Sequence, residues 1–180
     1  MTDLGVSQTF EVVLMQEGTL DAAPPDQVVA FLKELSELQR EVQGANSAVR
    51  GALERVGAIR ETLMRSTASD PSLGEEVRSL EQRLNDFSLK LNGERSRGMM
   101  GDPGPVSIDA RINVASMGNR LSTYGPTPTH RRSVEIAERE FDALRPEIDR
   151  LIDVDLPALE KQLDEAGVPW TPGRGIPSRK

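Results

Sequence analysis

Residues 26–65, DQVVAFLKELSELQREVQGANSAVRGALERVGAIRETLMR, decide the fold of this chain. Their apolar residues recur in alternating steps of three and four, which is the heptad pattern of a long amphipathic helix packed along its whole length. At about 1.5 Å per residue, the stretch predicts a rod about 60 Å long, which needs partner helices to bury its apolar face. The apolar positions are Val28, Phe31, Leu35, Leu38, Val42, Ala45, Val49, Ala52, Val56, Ile59 and Leu63.

The composition restricts both the fold class and the classes of function. Hydrophobic residues make up 37% of the chain and aromatic residues only 3%, so the core is aliphatic, which favours helix-on-helix packing. The net charge of -7 repels phosphate backbones, and we therefore expect no nucleic-acid partner. The chain has no cysteine, which excludes disulfides, thiolate metal sites and a cysteine nucleophile.

Neither a membrane span nor a signal peptide is recognisable. The sequence has no run of about 18 consecutive apolar residues, so we expect no membrane-spanning helix. Its first ten residues, MTDLGVSQTF, have neither the basic region nor the apolar region of a signal peptide. These observations leave the compartment open.

Residues 1–16 differ in pattern from everything that follows them. Apolar residues alternate at Phe10, Val12 and Leu14, which predicts one β-strand over residues 7–15. A lone strand is not stable, so this one requires a neighbour in another chain or in a domain that precedes it. The alternative is a disordered tail. Residues 17–25 then form a linker, whose two final prolines allow a helix to start directly after them.

Two shorter helices follow the first. The second helix begins at the capping residue Asp70, or alternatively at a capping box of Ser72 and Glu75, and ends near Asn92. Residues 94–106 are rich in glycine and proline and predict a loop. The third helix covers residues 107–122, with Ser107 as its cap. Its residues predicted to face the core are Ile108, Ile112, Ala115 and Leu121.

The fourth helix is as long as the first. It starts at Thr127 and continues to residue 166, and its heptad seam shifts register after Leu151. Pro146 and Pro157 lie inside the pattern, so we expect a kink or a break there. Residues 167–180 are rich in proline and glycine and basic at the tip, and we expect this tail to be extended or disordered.

Together these elements predict an all-α fold, in which residues 26–166 form an antiparallel bundle of two long and two short helices. Short turns favour antiparallel neighbours, so the second helix returns half-way along the first and the third reverses again. The near half of the first helix is then covered only by the end of the fourth, as a two-helix stalk beside the N-terminal strand. In this stalk Val28, Phe31, Leu35 and Leu38 pack against Leu156, Leu159 and Leu163.

Few residues point to catalysis or metal binding. His130, the one histidine, lies in the first turn of the fourth helix without partners for a triad or a metal site, and we interpret it as an exposed residue. Carboxylates at Glu147, Asp149, Asp153 and Asp155 are the residue type of a glycosidase acid pair or a hard-cation site. Arginines interleave with them, and calcium-loop spacing is missing, so a solvated helix face explains them better.

The loop after the second helix is the other candidate region. Its methionines and arginines have the composition of a flexible contact patch, although an ordinary surface loop is the simpler interpretation. The DPGP segment at 102–105 lacks the lysine and the Ser/Thr of a phosphate-binding loop. We assign no catalytic, cofactor-binding or metal-binding residue. The arginines and methionines of this loop are Arg95, Arg97, Met99 and Met100.

Three segments carry a resemblance to a bacterial family: FEVVLM at 10–15, INVASMGNRLSTYGPTPTHRRSVEI at 112–136 and LDEAGVPW at 163–170. The chain resembles the C-terminal helical region of sortilin-like proteins with Asp-box (bacterial-neuraminidase) repeat propellers, which are often labelled glycosyl hydrolases. In that family a small β-domain follows the propeller, and its last strand leads into a long helical hairpin. No Asp-box repeat occurs here, so no propeller activity is assigned to this chain. The resemblance implies a bacterial parent that is secreted or part of the cell envelope.

Two classes of function follow as expectations. The first is a non-catalytic helical accessory or interaction domain, joined to an upstream propeller or β-domain or bound to another protein. The alternative is a free-standing coiled-coil protein that self-associates or binds a partner helix. However, the four apolar seams of one chain are more simply buried against each other. An enzyme of the glycosidase type is supported only by the family label, and we predict neither enzymatic activity nor a cofactor.

Overall fold

The computed structural model describes residues 5, 8–13, 21–66, 70–94, 100–101 and 104–176 of the chain. This part contains five α-helices and one π-helical turn, and none of it forms a β-strand. The fold is therefore all-α, as the heptad seams predicted. The elements are α1 (Pro25–Arg65), α2 (Pro71–Asn92), α3 (Ile108–Arg120), α4 (Pro128–Arg150), the π-helical turn Leu151–Asp155 and α5 (Leu156–Glu165).

Side-chain caps start α2 and α3 at the residues that the sequence predicted. The carboxylate of Asp70 accepts a hydrogen bond from the backbone N–H of Ser72 at 2.9 Å. The hydroxyl of Ser107 accepts one from the backbone N–H of Ala110 at 3.2 Å. Each cap satisfies a donor that the first turn of a helix leaves without an intrahelical partner.

The helix α2 runs antiparallel to α1 and covers its C-terminal half. Near the connection between them, Arg60 of α1 pairs with Glu81 of α2 at 2.7 Å. At the other end of α2, the side-chain amide of Asn92 donates to Asn46 of α1 at 2.7 Å. Residue numbers rise along one helix as they fall along the other, so α2 returns about half-way along α1.

The helix α3 continues in the direction of α2, and the predicted reversal is wrong. It begins beside the end of α2, where a Cβ on Gly93 would lie 3.3 Å from the hydroxyl oxygen of Ser107. It ends beside the start of α1, where the backbone N–H of Ala23 donates to the carbonyl of Tyr124 at 2.9 Å. A tight turn forces a reversal, but the longer connection between α2 and α3 allows a helix to restart in the same direction.

A third rod, made of α4, the π-helical turn and α5, runs parallel to α1. At its start, the guanidinium of Arg131 lies 5.5 Å from the centre of the Phe31 ring. Towards its end, Glu160 pairs with Arg55 at 2.5 Å. Because residue numbers rise together along the two rods, the bundle consists of three rods: α1, the interrupted rod α2–α3, and the rod α4–α5.

The predicted two-helix stalk is not present. The helix α3 and the first turns of α4 lie along the N-terminal half of α1, whose Phe31, Leu35 and Leu38 are buried. The three leucines of α5 that were assigned to cover them are buried at the opposite end of the bundle, on the helix whose Glu160 meets Arg55. The error follows directly from the direction assigned to α3.

One continuous apolar core runs through the bundle. Nine of the eleven predicted seam positions of α1 are buried, and the other two, Val28 and Ala45, are half-buried. All six predicted positions of α2 are buried as well. In α3, however, only three of the four predicted positions are buried, because Leu121 faces solvent. The buried seam of α2 is Leu73, Val77, Leu80, Leu84, Phe87 and Leu91.

The π-helical turn absorbs the register shift in the third rod. The backbone N–H of Leu156 bonds to the carbonyl of Leu151, five residues earlier. This wider turn takes up one extra residue and returns Leu156 to the side of Leu151, and both are fully buried. Pro157 follows the turn at once, while Pro146 lies inside the continuous helix α4. The expected break is thus replaced by a local change of helix type.

The tail from residue 167 to 176 folds against the end of the bundle, which corrects the expectation of an extended or disordered tail. Val168 is buried. The guanidinium of the buried Arg174 pairs with Asp164 of α5 and donates to the carbonyl of Pro169 at 3.0 Å. One arginine therefore holds the tail in place, and a composition rich in proline and glycine did not indicate it.

The N-terminal residues 8–13 form no strand, so the strand predicted over residues 7–15 is not found where the structure describes it. The rest of that segment lies outside the described residues. A β-ladder requires a neighbouring strand to exchange backbone hydrogen bonds, and none of the described residues supplies one.

Candidate functional site

A groove opens where the rod α2–α3 is interrupted. Its volume is about 490 Å³, which lies within the range of about 300–1,000 Å³ typical of ligand pockets. The last turn of α2, the start of α3 and the middle of α4 form its walls. The lining residues are Leu89, Lys90, Gly93, Glu94, Gly104, Pro105, Val106, Ser107, Ile108, Glu140, Ala143, Leu144 and Glu147.

The groove is mainly apolar and has charged side chains at its edge. Leu89 and Val106 are about half exposed there. Glu140 pairs with Arg111 at 3.2 Å, whereas Glu147 has no ion-pair partner among the described residues. The lining includes no histidine and no cysteine. The described residues that line the groove include no nucleophile–base pair.

The carboxylates of the third rod do not form a common site. Asp155 is half-buried and pairs with Arg83 of α2 at 2.7 Å, while Asp149 lies 3.8 Å from an arginine of its own helix. Glu147 and Asp153 are exposed, as predicted for a solvated face. For Asp155 that prediction is wrong, because the π-helical turn brings it towards α2. In the part of the chain that the structure describes, no three acidic or histidine side chains are grouped to hold a metal ion.

His130 stabilises the start of α4. Its Nδ1 accepts a hydrogen bond from the backbone N–H of Thr127 at 3.3 Å, and its own backbone N–H donates to the Thr127 hydroxyl at 3.3 Å. The ring lies against Gly118 of α3, where any side chain would overlap it. His130 is therefore half-buried rather than exposed, because α3 passes α4 at this point. This reciprocal pair of bonds is a helix cap.

A second apolar face of α3 escaped the sequence analysis. Val114 and Met117 are each 50% exposed and Leu121 is 78% exposed. Together with Ala110 they recur in steps of four, three and four, so they share one side of the helix. We call Ala110, Val114, Met117 and Leu121 the outer face of α3. The spacing of these residues is present in the sequence. It was missed because the same short helix has a second apolar stripe that faces the core, to which Leu121 was assigned.

The N-terminal stretch, defined as residues 8–13, is a further exposed apolar surface. Phe10 is 83% exposed, Val12 84% and Val13 68%. Large apolar side chains grouped in solvent mark a contact surface in soluble proteins. The apolar residues of the predicted strand that the structure describes therefore lie outside the helical core.

Of the loop residues weighed from the sequence, Met100 is described and its side chain is exposed. Gly104 and Pro105, which end the DPGP segment, line the groove. The remaining candidates, Arg95, Arg97, Met99 and residues 102–103, lie outside the described residues.

Comparison with known proteins assigns no family to this chain. No family model matches it, and no curated protein and no solved structure matches it significantly. The similarity to the Asp-box propeller proteins stays a prediction from sequence motifs. No helix in the described ranges is long and apolar enough to cross a membrane. The class that the described residues define is an all-α bundle of three rods.

Proposed function

We propose that this chain is a non-catalytic helical accessory and interaction domain, whose N-terminal stretch adds a strand to the β-sheet of a neighbouring domain or protein. The neighbour implied by the resemblance is the β-domain that precedes the helices in sortilin-like Asp-box propeller proteins. The three rods are then a preformed body, and the N-terminal stretch is its attachment point.

The supporting observation is the contrast between a closed core and an exposed stretch. The seam of α1 is buried inside the bundle, whereas Phe10, Val12 and Val13 stand in solvent. In an extended strand Phe10 and Val12 lie on one face and Val13 on the other, so a receiving sheet takes alternate side chains into pockets. The backbone of the stretch supplies the hydrogen bonds that give such strand addition its affinity.

The burial of the seams favours this proposal over a coiled-coil function. Val42, Val49 and Val56 of α1 lie in the core of a single chain. A partner helix that used this seam would have to open the bundle and expose its leucines. Self-association therefore requires a different surface from the one that the heptad pattern indicated.

The pairing of the acidic residues supports a non-catalytic function. A glycosidase needs two carboxyl groups that face one another across a substrate cleft. Here Asp155 is held by Arg83 and Asp153 is exposed on a helix surface. Glu147 lines the groove, but it lies on the same helix as Glu140, whose carboxylate pairs with Arg111.

Amide hydrogen exchange tests the proposal. It compares the isolated chain with the protein as cells make it, together with any neighbouring domain or bound protein. We expect slow exchange at residues 8–13 in that form and fast exchange in the isolated chain. Substitutions Val12→Pro and Val13→Pro form a matched pair, because adjacent N–H groups of a strand point to opposite sides. One of them should abolish the protection and the other should not. Fast exchange at residues 8–13 in every form of the protein would contradict the proposal.

A further inference from the structure

The helix α3 carries more apolar surface than the bundle covers. Its inward residues, Ile108, Ile112 and Ala115, are buried in the core. Its outer face adds a second stripe at helical spacing, with three large side chains at least half exposed. A surface helix normally has one apolar stripe facing the core, and a helix that is apolar on both sides is normally covered on both. The outer face of α3 therefore lacks a cover.

The segment that leads into α1 lies beside the C-terminal end of α3. The backbone N–H of Ala23 donates to the carbonyl of Tyr124 at 2.9 Å, three residues beyond Leu121. The segment that precedes α1 thus leaves the bundle beside the C-terminal end of α3. Any apolar residues on that segment are tethered close to the outer face.

The tether is long enough to reach the whole outer face. Ten residue steps separate Val13 from Ala23, and a chain of that length spans at most about 33–36 Å. The thirteen residues of α3 make a helix only about 20 Å long. A tether of this length holds two surfaces at an effective concentration on the order of 1 mM.

We propose that the N-terminal stretch folds back and packs on the outer face of α3, as an internal cover for this helix. Phe10 and Val12 share one face of the extended stretch and meet Val114 and Met117. The structure shows the open arrangement, in which both apolar surfaces are in water, and closure removes both from water at once. A sheet that binds the stretch must displace this cover, so the outer face becomes free only in the bound form. The cover forms whether or not such a sheet exists, and it does not depend on the proposed function.

Cysteine crosslinking of the full chain tests the cover. Since the chain has no cysteine, two introduced cysteines can form only one disulfide within a molecule. The test variant is Val12→Cys with Val114→Cys, and its control is Val12→Cys with Val29→Cys. Val29 matches Val114 in residue type and exposure, 51% against 50%. It lies only six residues from Ala23 on α1, so an undirected tether favours the control.

We expect the intramolecular disulfide of the test variant to form about tenfold faster than that of the control in the same thiol–disulfide buffer, a preference of about 1.4 kcal/mol. Adding Phe10→Ser to the test variant should remove most of this preference. Equal rates in the two variants, or a rate that Phe10→Ser leaves unchanged, would overturn the cover. A disulfide that joins two molecules and slows on dilution would also overturn it and would assign the outer face to a second copy of the chain. None of these results alters the hydrogen-exchange test of the proposed function.

Discussion

The half of the bundle that contains α2 and α5 buries the leucines of its seams, whereas the half that contains α3 leaves the apolar side chains of the outer face in water. In the first half, Leu84, Leu91 and Leu159 have no exposed surface. In the second, Val114 and Leu121 of α3 are largely exposed although α3 packs on the same two rods. Apolar residues recur at helical spacing in both halves. The difference in exposure arises because α3 has a second apolar face.

The comparison separates the parts of this protein that maintain the fold from the parts available for contacts. The half with α2 and α5 is also closed at its end by the folded tail, in which Arg174 pairs with Asp164. The half with α3 carries the outer face and lies beside the origin of the N-terminal stretch. Substitutions in the first half should therefore act on stability, and those on the outer face should act on contacts.

The largest effect is expected from a leucine in the fully packed half. Leu84 of α2 is 0% exposed, so Leu84→Ala should lower the free energy of unfolding by about 2–5 kcal/mol through the cavity it leaves. Leu89 of the same helix is 48% exposed, and Leu89→Ala should change stability by less than about 0.5 kcal/mol. Urea denaturation followed by circular dichroism measures both. Equal losses in the two variants would contradict the assigned faces of α2.

The next largest loss of stability is expected from removing the contacts that hold the tail against α5. Arg174→Ala removes the ion pair with Asp164 and the bond to the Pro169 carbonyl, both made by a buried side chain. We expect a loss of about 1–3 kcal/mol, because the hydrogen bonds made by the charged guanidinium and the packing of its buried stem are lost together. Arg65→Ala is the control, because the Arg65 side chain is mostly exposed. A tail that thermolysin cleaves equally fast in the parent and in Arg174→Ala would show that the arginine does not hold it.

Two glycine-to-alanine substitutions should change the stability of the bundle in opposite directions. Gly125 has φ +86°, and a Cβ there would lie 2.8 Å from the Cβ of Ala23. Gly125→Ala should cost about 1–2 kcal/mol from the left-handed backbone alone. Gly44 lies inside α1 with open space around it, so Gly44→Ala should stabilise by about 0.5–1 kcal/mol. Thermal unfolding in which Gly125→Ala is neutral would place the α3–α4 connection away from the start of α1.

The smallest effect concerns the pH dependence of the cap on α2. The backbone N–H of Ser72 and then its hydroxyl hold the pKa of Asp70 below the ordinary value of 3.8. Because the folded-state pKa is the lower one, the cap contributes stability above pH 3.8 and loses it as the pH falls through the folded value. The stability of the parent should therefore fall on acidification relative to Asp70→Asn, whose amide does not titrate. A constant difference between the two across that range would contradict the cap.

The sequence by itself determined the helices and the residues that they bury. The caps at Asp70, Ser107 and Thr127 and the seams of α1, α2 and α4 follow from local rules, since capping and helical periodicity depend on neighbours within four residues. The five-residue step from Leu151 to Leu156 showed a shift of register in the sequence, although a kink or break was predicted there and not a π-helical turn. These features need no knowledge of what the helix packs against.

Only the tertiary structure decided the direction of α3, the fold of the tail and the surroundings of Asp155. The direction of α3 depends on the contact between Ala23 and Tyr124, which are about a hundred residues apart in sequence. The tail depends on one buried arginine, and Asp155 on its pairing with Arg83. A helix with two apolar faces, such as α3, is compatible with more than one partner arrangement. Contacts between distant parts of the chain, rather than its periodicity, select which face is buried and which is left for binding.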